Sequence, residues 1–247
     1  MNIINKTILI TGGGSGIGLE TARLLSAQGS KVLLVGRTAS TLLAAAATLP
    51  HAVALPCDIT HADEVQRLVA QVAAEYPELS VLINNAGRAF TYTHGAGADA
   101  HAKASEEFAT NYFAVLHLTE SLLPLLQTQP EAAIVNVSSI VAFAPTAAVP
   151  SYSDSKAALH SYTQALRHTL AQTTNVKVFE VLPSLVNTAF SAEIGGAAHG
   201  IPAREVAEQL LAGISQDEWE INVGQTAGFR ELHRTAPAQA FAMLNPA

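Results

Sequence analysis

The sequence predicts an α/β fold, a parallel, doubly wound sheet of seven strands with helices on both faces. Short β-rich runs alternate with helical patterns along the chain, as strand–crossover–strand units require. Hydrophobic residues make up 49% and charged residues 13%, a balance that suits a sheet covered on both faces and rules out a disordered or fibrous chain. No linker, repeat or charge run divides the 247 residues, so residues 1–247 are expected to form a single domain.

Each element follows from its own pattern. The first strand, Thr7–Thr11, leads into a helix over residues 17–28, and the second, Lys31–Gly36, into a helix over 39–48. A third strand, Ala52–Pro56, precedes a helix over 63–76, and a fourth ends at Asn84 after starting at Val81. Helical periodicity then covers 105–127, a fifth strand 132–138, a long helix 151–172, a sixth strand 176–182, a helix 204–215 and a seventh strand Glu220–Val223. Two stretches, 88–104 and 184–202, break the rhythm after strand ends, on the side where open α/β sheets bind ligands, and are candidate substrate loops.

Charge and composition exclude several function classes. Thirteen Lys and Arg against 20 Asp and Glu give a net charge of −7, with no basic patch for nucleic acid. The lone Cys57 cannot make an internal disulfide, the first residues carry no secretory pattern, and no window approaches a spanning helix. A cytoplasmic protein without membrane or nucleic-acid partners is expected. None of the nine histidines stands three or four residues from another, so no metal site is expected.

The chemistry is carried by turns at strand ends. Thr11-Gly12-Gly13-Gly14-Ser15-Gly16-Ile17-Gly18 joins the first strand to the first helix, where glycines let a pyrophosphate approach the helix N-terminus. Alone, such a turn is also an ordinary helix entry. Gly36 then Arg37 end the second strand, where an NAD site would carry a carboxylate; a guanidinium there grips a 2′-phosphate, and Thr38 either assists or caps the next helix. NADP(H) is therefore the preferred cofactor, with NAD(H) the alternative. Asp58 and Ile59 follow the third strand, and Asn84-Asn85-Ala86-Gly87 ends the fourth, with small residues that let a cofactor come close. Ser139 follows the fifth strand, and Tyr152 and Lys156 stand four apart on one helical face. An ammonium there is expected to lower the phenol's proton affinity. By itself the Tyr–Lys pair is more often an exposed helix turn.

Taken in order, these motifs resemble the short-chain dehydrogenase/reductase family in its branch of about 250 residues, over residues 5–190. The resemblance implies a Rossmann-type sheet, with Gly12, Ser15, Gly16, Ile17 and Gly18 at the pyrophosphate, Asp58 and Ile59 at the adenine, and Asn84, Ala86 and Gly87 lining the cofactor. It implies a tetrad of Asn111, Ser139, Tyr152 and Lys156, Asn111 holding a water in a proton relay and Lys156 also binding the nicotinamide ribose, with Pro183, Val186 and Thr188 at the nicotinamide. The chain departs from the family at Ser184 and Ala114, where glycines are usual, and at Ser15, where NADP-preferring members often carry a base. The C-terminal portion lacks the family's Gly-rich last strand and resembles a bacterial oxidoreductase subgroup named after a lipoteichoic-acid D-alanylation operon. A homodimer through the helices at 105–127 and 151–172 is implied, with a tetramer as the alternative.

The expected reaction is reversible hydride transfer between NADP(H) and a carbonyl or secondary alcohol, Tyr152 giving the proton, Lys156 tuning it and Ser139 holding the substrate oxygen. A catalytically silent NADP(H)-sensing protein on the same fold, or an epimerase or dehydratase, are the rival readings. Arg88, Val141, Phe143, Val149, Leu185 and Phe190 are the candidate substrate residues. Residues 140–150 carry no charge, so an apolar carbonyl compound is expected, with Arg88 the one cation placed to anchor a carboxylate.

Overall fold

A computed structural model describes residues 1–246. In chain order the elements are β1 (Thr7–Thr11), α1 (Gly16–Ala27), β2 (Lys31–Gly36), α2 (Ala39–Ala46), β3 (Ala52–Pro56), α3 (Ala62–Glu75) and β4 (Leu79–Asn84). Then come α4 (Ala100–Phe108), a π-helical turn (Ala109–Phe113), α5 (Ala114–Gln127), β5 (Ala132–Val137), a 3₁₀ turn (Ile140–Ala142), α6 (Pro150–Thr173) and β6 (Val176–Pro183). A two-residue strand β7 (Val186–Asn187), a second 3₁₀ turn (Ala189–Ile194), α7 (Gly196–His199), β8 (Ile201–Pro202), α8 (Ala203–Ser215), β9 (Glu220–Val223), α9 (Thr226–Thr235) and α10 (Pro237–Leu244) complete the chain.

The main sheet has seven strands in the order β3-β2-β1-β4-β5-β6-β9, all parallel, as the alternating pattern predicts. Every residue of β1, β4 and β5 is buried, because helices cover both faces. Ile8, Ile10, Val32, Leu34 and Ile83 pack on one face with Leu25 of α1 and Leu210 of α8. Leu9, Leu33, Leu82 and Ile134 pack on the other with Leu68 of α3, Leu118 and Leu122 of α5 and Leu170 of α6. The order reverses at β1, which pairs with β2 on one side and β4 on the other, so the β1 and β4 ends diverge into a crevice.

One band of the sheet is polar. Asn84, Asn136, Glu180 and Glu220 are cross-strand partners in register on β4, β5, β6 and β9. Asn84 Nδ2 donates to Asn136 Oδ1 at 2.9 Å and to Thr119 Oγ1 of α5, and Asn136 Nδ2 donates to Thr163 Oγ1 of α6. A buried amide must be paired, and these are.

Two expectations need correction. The helix anticipated at 105–127 begins at Ala100 and is interrupted by the π turn, which carries Asn111. Single π turns inside α-helices are frequent at functional sites. The chain beyond β9, for which no element was expected, forms α9 and α10, because Phe229 and Ala240 bury against Ile140, Val141 and Ala144. The polar, charged sequence of α9 hides this: one fully covered aromatic anchors it. Phe229→Ala is expected to cost about 3–5 kcal/mol of unfolding free energy, read as a lower denaturant midpoint. A loss within about 0.5 kcal/mol would mean that the tail does not pack as described.

Candidate active site

A cleft of about 770 Å³ lies outside the C-terminal ends of β1, β4, β5 and β6. Its nucleotide end is built by the glycine turn. A Cβ at Gly18 would come 2.5 Å from the Gly12 carbonyl oxygen, and Gly12 and Gly16 hold φ of +64° and +53°, so only glycine serves. Ser15 precedes α1 and makes no side-chain cap, which leaves the first N–H groups of the helix for an anion. Opposite, Thr188 caps the 3₁₀ turn reciprocally with Ser191, and its methyl lies 3.2 Å from where a Cβ of Gly16 would sit. The cradle thus has the shape and donors for a dinucleotide pyrophosphate.

Of the cofactor residues expected from sequence, Gly12, Ser15, Gly16, Ile17, Ala86, Gly87, Tyr152, Lys156, Pro183, Val186 and Thr188 line this cleft. Gly18 lies beneath it in the turn. Asn84 does not reach it, because its side chain is held within the polar band, and Asn85 lines the cleft in its place. Arg37, Thr38, Asp58 and Ile59 lie outside the walled cleft, at the ends of β2 and β3. The carboxylate of Asp58 accepts from Thr60 N at 3.0 Å and Thr60 Oγ1 at 2.7 Å. Although burial opposes it, these bonds and the Arg37 charge hold the Asp58 carboxyl below its ordinary range. The Thr38 side chain makes no helix cap.

Ser139, Tyr152 and Lys156 line the same cleft. Lys156 is buried, donates to the Val137 carbonyl at 2.7 Å, and has its Nζ 5.6 Å from the Tyr152 ring centre. Burial pushes its ammonium down to about 8, against the pull of Glu180. Burial likewise pushes the Tyr152 phenol above its ordinary value, a hydrogen bond with Ser139 opposing and the Glu107 carboxylate reinforcing. The lowering of the phenol expected from the Lys156 ammonium is not found: burial outweighs the Ser139 hydrogen bond, the one influence that lowers it. Asn111 accepts from Arg88 N and donates to Arg88 O, both at 2.8 Å, and to Ser155 Oγ at 2.9 Å. Its side chain is committed to pinning the loop to α6, and it is not among the residues that line the cleft.

Among the candidate substrate residues, Val141, Val149, Leu185 and Phe190 line the cleft, and Phe190 stands 5.8 Å from the Tyr152 ring, centre to centre. Phe143 does not line it; the ring packs edge-on to His160 and under the Arg230 guanidinium. Arg88 does not line it either. It pairs with Glu106 at 2.7 Å and lies over Phe90, so the one candidate anchor for a carboxylate is already taken. Sequence reasoning missed Met243 and Leu244, which wall the cleft from α10. Thr146 Oγ1 donates to Leu244 O, Asn245 Oδ1 accepts from Ala147 N at 2.6 Å, and Asn245 Nδ2 donates to Pro145 O, which clasps the tail over this wall. The apolar pair at the end of a Pro-initiated helix was the signal available.

The fold also makes a cluster that spacing on one helix could not foretell: donor atoms of His160, Glu180 and Glu220 lie within 4.8 Å of one another. Arg167 and Arg230 pair with Glu220 at 3.4 and 2.5 Å, so protein cations balance the acidic charge. No helix among the described residues is long and apolar enough to cross a membrane.

Comparison with known proteins identifies the family. The chain is 36% identical over 249 residues to the oxidoreductase DltE of Bacillus subtilis, covering 99% of this chain and 98% of that one. It is 35% identical over 169 residues to a fatty acyl-CoA reductase of Acinetobacter baylyi, covering 67% of this chain and 57% of the relative. A short chain dehydrogenase of Burkholderia cenocepacia, solved in complex with NADP, superposes with a TM-score of 0.87 at 27% identity over 99% of both chains. The short chain dehydrogenase profile matches residues 6–199, and the chain belongs to that family.

Proposed function

We propose that the protein is an NADP(H)-preferring oxidoreductase that interconverts an apolar carbonyl compound and its secondary alcohol. The observation that carries this reading is the convergence of Ser139, Tyr152 and Lys156 on the cleft that the glycine turn opens. A nicotinamide cofactor, when bound, supplies or accepts the hydride. Gly12, Gly16 and the α1 N-terminus hold its pyrophosphate, and Lys156 and Thr188 hold the nicotinamide half. Ser139 Oγ orients the substrate oxygen by a hydrogen bond. In reduction Tyr152 donates its phenolic proton to that oxygen, a role suited to a phenol that burial keeps protonated. The Lys156 ammonium then stabilises the phenolate left behind.

The preference for NADP(H) rests on Arg37 at the end of β2, where no carboxylate stands, and on the NADP complex of the Burkholderia relative. The apolar substrate rests on Val141, Val149, Leu185, Phe190, Met243 and Leu244 around the cleft, on the engagement of Arg88 by Glu106, and on the acyl-CoA-reducing relative. The exposed Phe113, in an aromatic cluster with Phe108, Tyr112 and Tyr162 on α4, the π turn and α6, supports a dimer through these helices.

Three measurements test this reading. Tyr152→Phe should lower turnover by about 10² to 10⁴ while NADPH still binds, and a variant keeping a tenth of the activity would refute the proton donor. Arg37→Ala should weaken NADPH binding about 10- to 100-fold and leave NADH nearly unchanged, since a charge-assisted contact contributes about 1.5–3 kcal/mol; equal losses would refute the phosphate contact. The pH dependence has a definite sign: reduction needs a protonated phenol and a charged Lys156. The rate should therefore hold on the acid side and decline as pH rises through about 8, where Lys156 loses its proton, and a decline on the acid side would contradict it.

A further inference from the structure

Lys156 and His160 are one helical turn apart on α6, so both face the same strip of sheet. Beneath them lies the polar band. Lys156 is tied to the carbonyl of Val137, the neighbour of Asn136, and Glu180 is the in-register partner of Asn136 on the next strand. Glu180 is fully buried, its Oε2 receives His160 Nδ1 at 2.8 Å, and its Oε1 has no hydrogen-bond partner. A carboxylate oxygen left unpaired in the interior is costly unless a cation nearby compensates it. Glu220 of β9, in register on the far side, cannot compensate, and the guanidiniums of Arg167 and Arg230 are turned to Glu220. The buried cation that remains on this strip is Lys156.

We propose that Glu180 is the counter-charge that keeps Lys156 a cation beside the reacting phenol. It touches neither substrate nor cofactor, and acts as a positioning residue through Lys156. The inference rests on the proposed role of Lys156 in hydride transfer. Two opposing influences meet on the lysine: burial drives its proton off, and Glu180 keeps it on. Without the carboxylate, the buried amine neutralises itself instead of bearing an uncompensated charge.

The surrounding charges define the sign. Glu180 pairs with His160 of α6 at 2.8 Å; Lys156, one helical turn before His160, makes no ion-pair contact with it and feels its charge across the strip; Glu220, in register on β9, is in turn held by Arg167 of α6 and Arg230 of α9. The hydrogen bond to Glu180 raises the proton affinity of His160, against its burial and the Arg230 charge. A protonated His160 partly cancels Glu180, so loss of the imidazole can only leave the carboxylate's pull on Lys156 unchanged or strengthen it.

The test combines a turnover profile with a direct titration of the lysine. Lysine labelled with carbon-13 at Cε reports its own ionisation by NMR with no substrate present, and the Lys156 signal is the one absent from Lys156→Arg. In Glu180→Gln the titration midpoint of Lys156, and with it the alkaline limb of the reduction rate, should both move down by about one pH unit. NADPH binding at pH 6 should stay within about threefold of wild type. If Glu180→Gln does not accumulate folded, Glu180→Thr removes the same charge with a smaller side chain. Glu180→Asp should restore the wild-type limb, and His160→Gln should leave it in place or move it up. An unmoved Lys156 signal in the uncharged variants, a moved signal with an unmoved rate limb, or a downward shift in His160→Gln would overturn the proposal. A moved signal in a chain that reduces no carbonyl compound would uphold the coupling and refute the proposed activity instead.

Discussion

The tie between the ends of β1 and β4 is what every other part of the site depends on. Thr11 Oγ1 accepts from Asn85 N and Ala86 N, both at 3.0 Å, and Asn85 Nδ2 donates to the carbonyls of Thr11 and Gly12. These bonds satisfy the backbone where two neighbouring strands part company, at the point of the sheet least able to satisfy itself. They also fix the glycine turn to the turn after β4. The space for Asn85 exists because Gly12 and Gly18 have no side chains: a Cβ on either would meet its Nδ2 within 3 Å. Sterics, hydrogen bonding and strand order therefore specify the same local structure.

Farther along the sheet, polarity replaces apolar packing by design of the row Asn84–Asn136–Glu180–Glu220. An apolar residue at each position would pack against α5 and α6 at no cost in desolvation. The row instead gives fixed dipoles and charges directly beneath the helix that carries Tyr152 and Lys156. Because α6 is held from below by Thr163 and His160, those two side chains are placed by the sheet and not by a loop.

Much of this was legible in the sequence, and the reasons differ by element. The seven strands and most helices announce themselves because apolar period and turn chemistry agree. Gly12, Gly16, Ser139, Tyr152 and Lys156 were legible because each sits at a fixed offset from a strand end. The sequence points to Asn84 at the cleft and not to Asn85, since two adjacent amides carry identical chemistry and only the alternation of the strand decides which one points inward. Phe143 and Arg88 belong to segments that border the cleft, but their partners, His160, Arg230 and Glu106, come from elsewhere in the chain. The Glu180–His160 contact spans 20 residues and two elements, so no local pattern could reveal it. The tail helices were hidden for the opposite reason: α9 is mostly polar, and one buried Phe229 decides its position.

The clasp at Asn245 separates two kinds of variation. Met243 and Leu244 reach the cleft from a short helix that packs chiefly on α9 and is fastened to the loop at 145–147 by side-chain and backbone bonds. Changes in that helix alter the volume and greasiness of one wall while the glycine turn, the Thr11–Asn85 tie and the polar band stay as they are. The chain is therefore modular at the level of single walls: the helix Pro237–Leu244 can be rebuilt without renegotiating the half of the cleft that the glycine turn forms.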